Sequence, residues 1–213
     1  MQSRIVLSEP EERALSEPRC PRFPPTSKPS SLPALCPVNT PTPILVGKVG
    51  AVFWVRVEGR GTFQNSVPVK QVLRTMMDNG SRSFVVDLER CPLMDSTFLG
   101  TLTGAALNLR ELGGGHLSIL NANQRNQQLM TSLGLDYILE VDKDGSAWPA
   151  ERAQATAQLA LCPDSLDAPC KEAQSANVLD AHQTLADLSE ENECRFRDVI
   201  DFLQRERGTA TAG

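Results

Sequence analysis

Between Ile44 and Val141, apolar runs with strand character alternate with stretches of helical period, and this alternation constrains the fold more than any other feature of the chain. The clearest run is Phe84-Val85-Val86-Asp87-Leu88, continuous and bounded by polar residues. A strand with one buried face alternates apolar with polar residues, whereas a continuous run marks a strand covered on both faces, as in a central parallel strand. Parallel neighbours need right-handed crossovers, and helices follow in the right places. Asp95 can cap a helix with Leu99, Leu102, Ala106 and Leu109 as its buried stripe. Gly104 and Ala105 permit close packing, and Gly113-Gly114-Gly115 stops it. Leu117, Ile119 and Leu120 give the next strand. Asn121 or Asn123 caps a helix through Leu129, Met130 and Leu133, Gly134 ends it, and Tyr137 to Val141 supply a last short strand.

Upstream, the β-branched runs Ile44 to Val49 and Val52 to Val57, separated by Gly50, read as a hairpin or one bent strand, closed by Gly59-Arg60-Gly61. Asn65 or Ser66 then offers an N-cap, with Pro68 in the first turn, where its missing N–H is harmless. Val69, Val72, Leu73 and Met76 follow at helical spacing up to Asn79-Gly80. The predicted class is α/β: a small, mainly parallel or mixed sheet of four to five strands with helices, plus a C-terminal helical extension.

The flanks differ in kind. Ten of the fifteen prolines precede Ile44, interleaved with Ser, Thr, Lys and Arg. Residues 1–43 are therefore expected to be a disordered, Pro-rich tail with at most polyproline-like stretches and an optional PxxP motif. A start codon placed too far upstream would leave the same pattern. The folded domain is predicted over 44–148 and the helical extension over 149–213. In that extension an Ala-rich stretch leads past Cys162-Pro163 and Pro169-Cys170 to two helices with no strand signal. Val178, Leu179, His182 and Leu185 form one stripe; Ser189 caps the second helix, with Phe196, Val199, Ile200 and Leu203 as the other. These helices are expected to form a hairpin that docks on the domain, on a partner, or on a twin as a homo-oligomer, and to mask or extend the face on which it sits.

The formal net charge of -5 argues against holding nucleic acid or an anionic membrane by bulk electrostatics. No run approaches the roughly 18 to 20 apolar residues of a membrane span, and the start holds too short an apolar run for a signal peptide, so a cytoplasmic protein is expected. The six cysteines show no CxxC pair and read as free thiols rather than a disulfide framework or zinc site. Two histidines, His116 and His182, leave little for general-base chemistry or metal binding.

Chemistry concentrates in Leu88 to Gly104, where a buried strand passes Pro92 and a helix opens at Asp95-Ser96-Thr97. A hydroxyl there sits beside unpaired backbone N–H groups and the positive end of the helix dipole, so a phosphate on Ser96 would find donors. The plain structural reading is that Asp95 is a cap and Ser96 and Thr97 are good first-turn residues. A serine hydrolase would put its nucleophile on a similar turn, but the flanking glycines of G-x-S-x-G are missing and the base would have to be His116 or His182. Asp87, Glu89 and Asp95 suggest a metal cluster only weakly, and Gly113-Gly114-Gly115 lacks nucleotide-loop spacing.

The run Met94-Asp95-Ser96-Thr97-Phe98-Leu99-Gly100 resembles the D-S-[ST]-G-[LM]-G motif of STAS domains, specifically bacterial anti-sigma factor antagonists. The neighbouring order agrees: Val85 to Leu88 before it, the glycine-rich helix end before His116 to Leu120, and Asn126 to Val141 after it. The resemblance covers about Ile44 to Asp144. It implies a non-enzymatic transcription regulator with no cofactor and no metal, which binds an anti-sigma factor with serine kinase activity and is reset by a serine phosphatase. The family's phosphorylated serine maps onto Ser96, its aspartate onto Asp95 and the neighbouring hydroxyl onto Thr97; Met94, Phe98 and Gly100 fall on the implied partner face. Phe98 stands where the family has glycine, to pack in the core or to enlarge the partner surface. A STAS subunit that regulates a membrane transporter or lipid-transport ATPase without phosphorylation is the second expectation.

Overall fold

The computed structural model describes residues 43–162 and 169–210, with the side chains of the last two left aside; the expectation for the Pro-rich tail lies outside them. Of the two expected arrangements, strands β1 (Ile44–Val49) and β2 (Val52–Val57) adopt the antiparallel hairpin, around Gly50, whose φ of 63° suits a residue without a Cβ. They are followed by α1 (Phe63–Asp78), β3 (Ser83–Asp87), α2 (Ser96–Glu111), β4 (His116–Leu120), α3 (Gln124–Ser132) and a 3-10 turn at Leu135–Tyr137. The remainder is β5 (Glu140–Val141), α4 (Pro149–Gln158), β6 (Ala160–Leu161), α5 (Lys171–Ala186) and α6 (Glu190–Ala210). The sheet runs β5-β4-β3-β2-β1-β6, with β2 to β5 parallel to one another and β1 antiparallel to both its neighbours. β3 is the central parallel strand that its continuous apolar run predicts.

Three boundaries differ from the sequence reading. The helix α1 starts at Phe63 with Thr62 as its N-cap, because the Asn65 side chain turns back to accept from the Thr62 backbone N–H at 2.8 Å. Pro68 therefore stands in the second turn. The last parallel strand, expected over Tyr137 to Val141, is two residues long, since Leu135–Tyr137 close a 3-10 turn first. The extension, expected to be wholly helical, contributes the two-residue edge strand β6, which makes the sheet six-stranded.

Alternation along the strands sends Phe53, Val55, Val57, Phe84, Val86, Leu117 and Ile119 into the main core, which α1, α2 and α3 supply with Leu73, Leu99, Leu102, Leu109 and Met130. Each such leucine, fully buried, contributes about 1.5–3 kcal/mol. Trp54, Val85 and Leu120 point to the opposite face, where Ala155 of α4, Trp148 and Leu159 cover them. At the C-terminal end of the parallel strands, buried Arg56 meets Asp87 at 2.8 Å; Asn121 donates to the same carboxylate at 2.7 Å, and Arg152 of α4 reaches both Asn121 and Asp142.

The two C-terminal helices form the expected hairpin, with Ser189 capping α6 through the Asn192 backbone N–H. They lie on the domain itself. Leu185, Ala186 and Phe196 join the main core, and Asn192 donates to the Leu133 carbonyl at 3.0 Å. Of the second predicted stripe, Phe196 is buried, while Val199 is exposed. Cys91 and Cys170 are free thiols, but Cys194 is disulfide-bonded, against the reading of the cysteines as thiols throughout.

Candidate functional site

The turn from β3 into α2 is fixed by Asp95. Its backbone N–H donates to Gly61 at 2.9 Å, and Gly61 in turn pairs with Met94 in an isolated parallel bridge. One carboxylate oxygen of Asp95 accepts the Phe98 N–H at 2.8 Å, the expected cap of α2. The other accepts the Phe63 N–H at 2.8 Å, at the start of α1. A single carboxylate thus satisfies orphan donors of two helices and sits at the positive end of both dipoles. The second of these caps, 32 residues away in sequence, has no local signature.

Ser96 is the first residue of α2 and half-buried. Its Oγ lies 2.9 Å from Nε2 of His182 on α5. The other ring nitrogen, Nδ1, lies 2.7 Å from the Val178 carbonyl oxygen. A carbonyl only accepts, so Nδ1 carries a proton, and in the neutral imidazole Nε2 then accepts from the Ser96 hydroxyl. The imidazole is buried and packs against the Phe196 ring at 5.2 Å between centroids. Sequence reasoning placed His182 on an apolar stripe, which it occupies, and linked it to Ser96 only as one of two candidate bases in the hydrolase reading.

The other residues expected at the site are distributed differently. Thr97 is buried, and its carbonyl accepts the Thr101 hydroxyl at 2.8 Å. Phe98 lies wholly in the core, with its ring so close to Gly61 that a Cβ there would stand 2.8 Å from it. It is a packing residue, not part of an accessible surface. Met94 is buried as well. Gly100 lies under α5: a Cβ on it would fall 2.3 Å from the Ala181 carbonyl oxygen. One turn on, Asn177 of α5 donates to the Thr101 hydroxyl at 3.1 Å. The exposed ion pair of Lys70 and Asp180 at 2.6 Å closes the edge between α1 and α5.

The small-residue face Thr97, Gly100, Thr101 and Gly104 is what lets α5 approach. A helix buried on nearly every side is apolar or small all round, and α2 is, from Thr97 to Thr103. That signal was present in the sequence.

The rival chemistries find little here. Asp87 is held by Arg56 and Asn121, Glu89 is exposed, and both oxygens of Asp95 are taken by amides. Among the described residues no three His, Cys, Asp or Glu side chains converge as a metal site. His116 stacks on Trp148 at the start of β4, the sheet end opposite the one from which the Ser96 turn departs. Ser96 and His182 do make the hydrogen bond a hydrolase would use, yet the Phe98 amide that could serve an oxyanion is occupied by Asp95. Nearby, burial pushes the Cys91 thiol above its ordinary range, opposed in part by hydrogen bonds to the backbone of Gly61 and Leu93. No helix among the described residues is long and apolar enough to cross a membrane.

Residues 44–140 match the family model described as Mlab, STAS domain. No curated protein matches the chain. Among solved structures it is similar to an anti-sigma factor antagonist of Thermotoga maritima, with 18% identity over 50% of this chain and 92% of that one, at a TM-score of 0.45. It is also similar to the anti-sigma factor antagonist SpoIIAA in its unphosphorylated form, with 18% identity over 52% and 96% of the two chains and a TM-score of 0.44. The phosphorylated form of the Bacillus cell fate determinant SpoIIAA matches with 17% identity over 54% and 99%, at 0.42.

Proposed function

Taking residues 44–140 as a STAS domain, we propose that the chain is a non-enzymatic regulator of the anti-sigma factor antagonist type, switched by phosphorylation of Ser96. The observation that carries this reading is the placement of the Ser96 hydroxyl at the first position of α2, beside a carboxylate that already holds the turn together. A serine kinase, the anti-sigma factor itself, transfers the terminal phosphoryl group of ATP to Oγ, releasing ADP and the hydroxyl proton; a serine phosphatase hydrolyses the ester. The phosphate adds about -1.5 to -2 charges next to Asp95, so like-charge repulsion and desolvation oppose docking of a partner on this face. The helix dipole offsets part of that charge for the folded domain. The module then changes its binding without unfolding.

The test is mass spectrometry of the chain from its native source, comparing growth with stress. A single phosphate on the peptide containing Ser96, lost in Ser96→Ala, is expected; a chain unmodified in every condition refutes the switch. The contact of the Ser96 hydroxyl with His182 covers the site of modification and favours, as the second reading, a constitutive STAS subunit that acts through binding alone, without phosphorylation.

A further inference from the structure

We propose that the α5–α6 hairpin is a built-in competitor for the Ser96 face of α2, closed over the unmodified hydroxyl and excluded by a phosphate on it. This rests on the reading of Ser96 as the switch and adds its regulation.

Three observations on separate residues carry it. The Ser96 Oγ and His182 Nε2 are 2.9 Å apart, which leaves no space for a phosphorus atom and three oxygens. The Val178 carbonyl holds the Nδ1 proton, so the neutral imidazole turns a lone pair at Nε2 toward the site where phosphate oxygens would lie, and this buried ring, packed on Phe196, would have to take up a second proton to donate to them. The approach of Ala181 to Gly100 is so close that α5 cannot shift sideways to make room without losing this contact and the Asn177 to Thr101 hydrogen bond together. A phosphate therefore acts on the whole seating of α5. With the hydroxyl unmodified, any kinase or partner that needs this face meets it only in the fraction of molecules whose hairpin is open, and its apparent affinity falls by that fraction.

The test is hydrogen exchange, read by mass spectrometry, on the full chain and on Ser96→Glu. A carboxylate forced against His182 is expected to speed exchange of the α5 amides from Val178 to Ala186 by roughly a hundredfold, while the β3 amides keep their protection. Ser96→Ala, a milder change that removes the hydrogen bond and leaves the His182 ring packed on Phe196, is expected to speed the same amides by roughly fivefold. Unchanged α5 exchange in both variants overturns the proposal, and so does simultaneous loss of protection in β3, because the hairpin would then be an inseparable part of the core. The outcome does not depend on phosphorylation in the native source: a hairpin that opens here with Ser96 unmodified there sinks the switch and leaves the competition for this face standing.

Discussion

Gly100 and Gly104 lie one turn apart on α2, and the structure assigns them opposite responses to the same added methyl group. In Gly100→Ala the Cβ would stand 2.3 Å from the Ala181 carbonyl oxygen, 2.7 Å from its carbonyl carbon and 2.8 Å from its Cβ. Two of those atoms are backbone, so relief requires moving α5 rather than turning a side chain. Overpacking of this kind costs typically about 1–3 kcal/mol, and a contact this short belongs at the upper end. Replacing glycine by alanine inside a helix returns about 1 kcal/mol. The net loss is then about 2 kcal/mol. In Gly104→Ala the nearest atoms are those of the Thr184 side chain at 3.8 and 3.9 Å, which is ordinary contact, so the helix gain of about 1 kcal/mol stands unopposed. For a chain of 213 residues these values correspond to a fall in Tm of about 4–8 °C and a rise of about 2–4 °C. Calorimetry or circular dichroism on the full chain reads both. Equal stabilisation in the two variants would refute the seating of α5 on α2, and with it the account of how Ser96 is covered.

Asp95→Ala removes the caps on Phe63 and Phe98 together and is expected to destabilise by about 2 kcal/mol, whereas Asp95→Asn, with one acceptor oxygen, loses about half as much; thermal unfolding of both variants checks the ratio, and equal losses would show that one cap carries the site. Burial raises the Cys91 thiol above its ordinary range, so at pH 8 it holds less thiolate than a solvated cysteine. Iodoacetamide at that pH is expected to label exposed Cys170 and to spare Cys91 until denaturant is added, as read by peptide mass spectrometry; labelling of both at one rate contradicts the packing described.

Where the sequence reading succeeded, the determinant was local. The hairpin at Gly50, the continuous run of β3, the Asp95 cap and the stripe of α2 depend on residues a few positions apart. Where it failed, the determinant was long-range or carried no side-chain pattern. β6 pairs with β1 through its backbone, extended by the Cys162 N–H donating to the Ile44 carbonyl at 2.8 Å, and both its residues are exposed, so no alternation marks it. The start of α1 moved because Asn65, a plausible cap by type, acts from inside the helix on the residue before it. His182 and Ser96 are separated by 86 residues and meet only because α5 returns to α2. The small face of α2 could have announced that return: a helix with glycine or threonine at Thr97, Gly100, Thr101 and Gly104 on the side away from its leucines is shaped for a second helix rather than for water.

The division of labour between Asp95 and Ser96 follows from the same geometry. Asp95 ties the starts of α1 and α2 to each other, so its charge is already matched by two amides and cannot rotate to meet a new neighbour. It also takes the Phe98 amide, one of the donors a phosphate on Ser96 would otherwise find. A phosphate there is thus less well satisfied by its own helix than position alone suggests, and its unsatisfied charge is turned outward, toward α5 or whatever takes its place. On the inner side, Phe98 and Leu99 seal the turn against the core, and the Phe98 ring leaves space for nothing larger than glycine at position 61. A phosphate on Ser96 would consequently be felt on the outer face of α2 and not in the sheet. That is the physical requirement for a switch that alters binding while the domain stays folded.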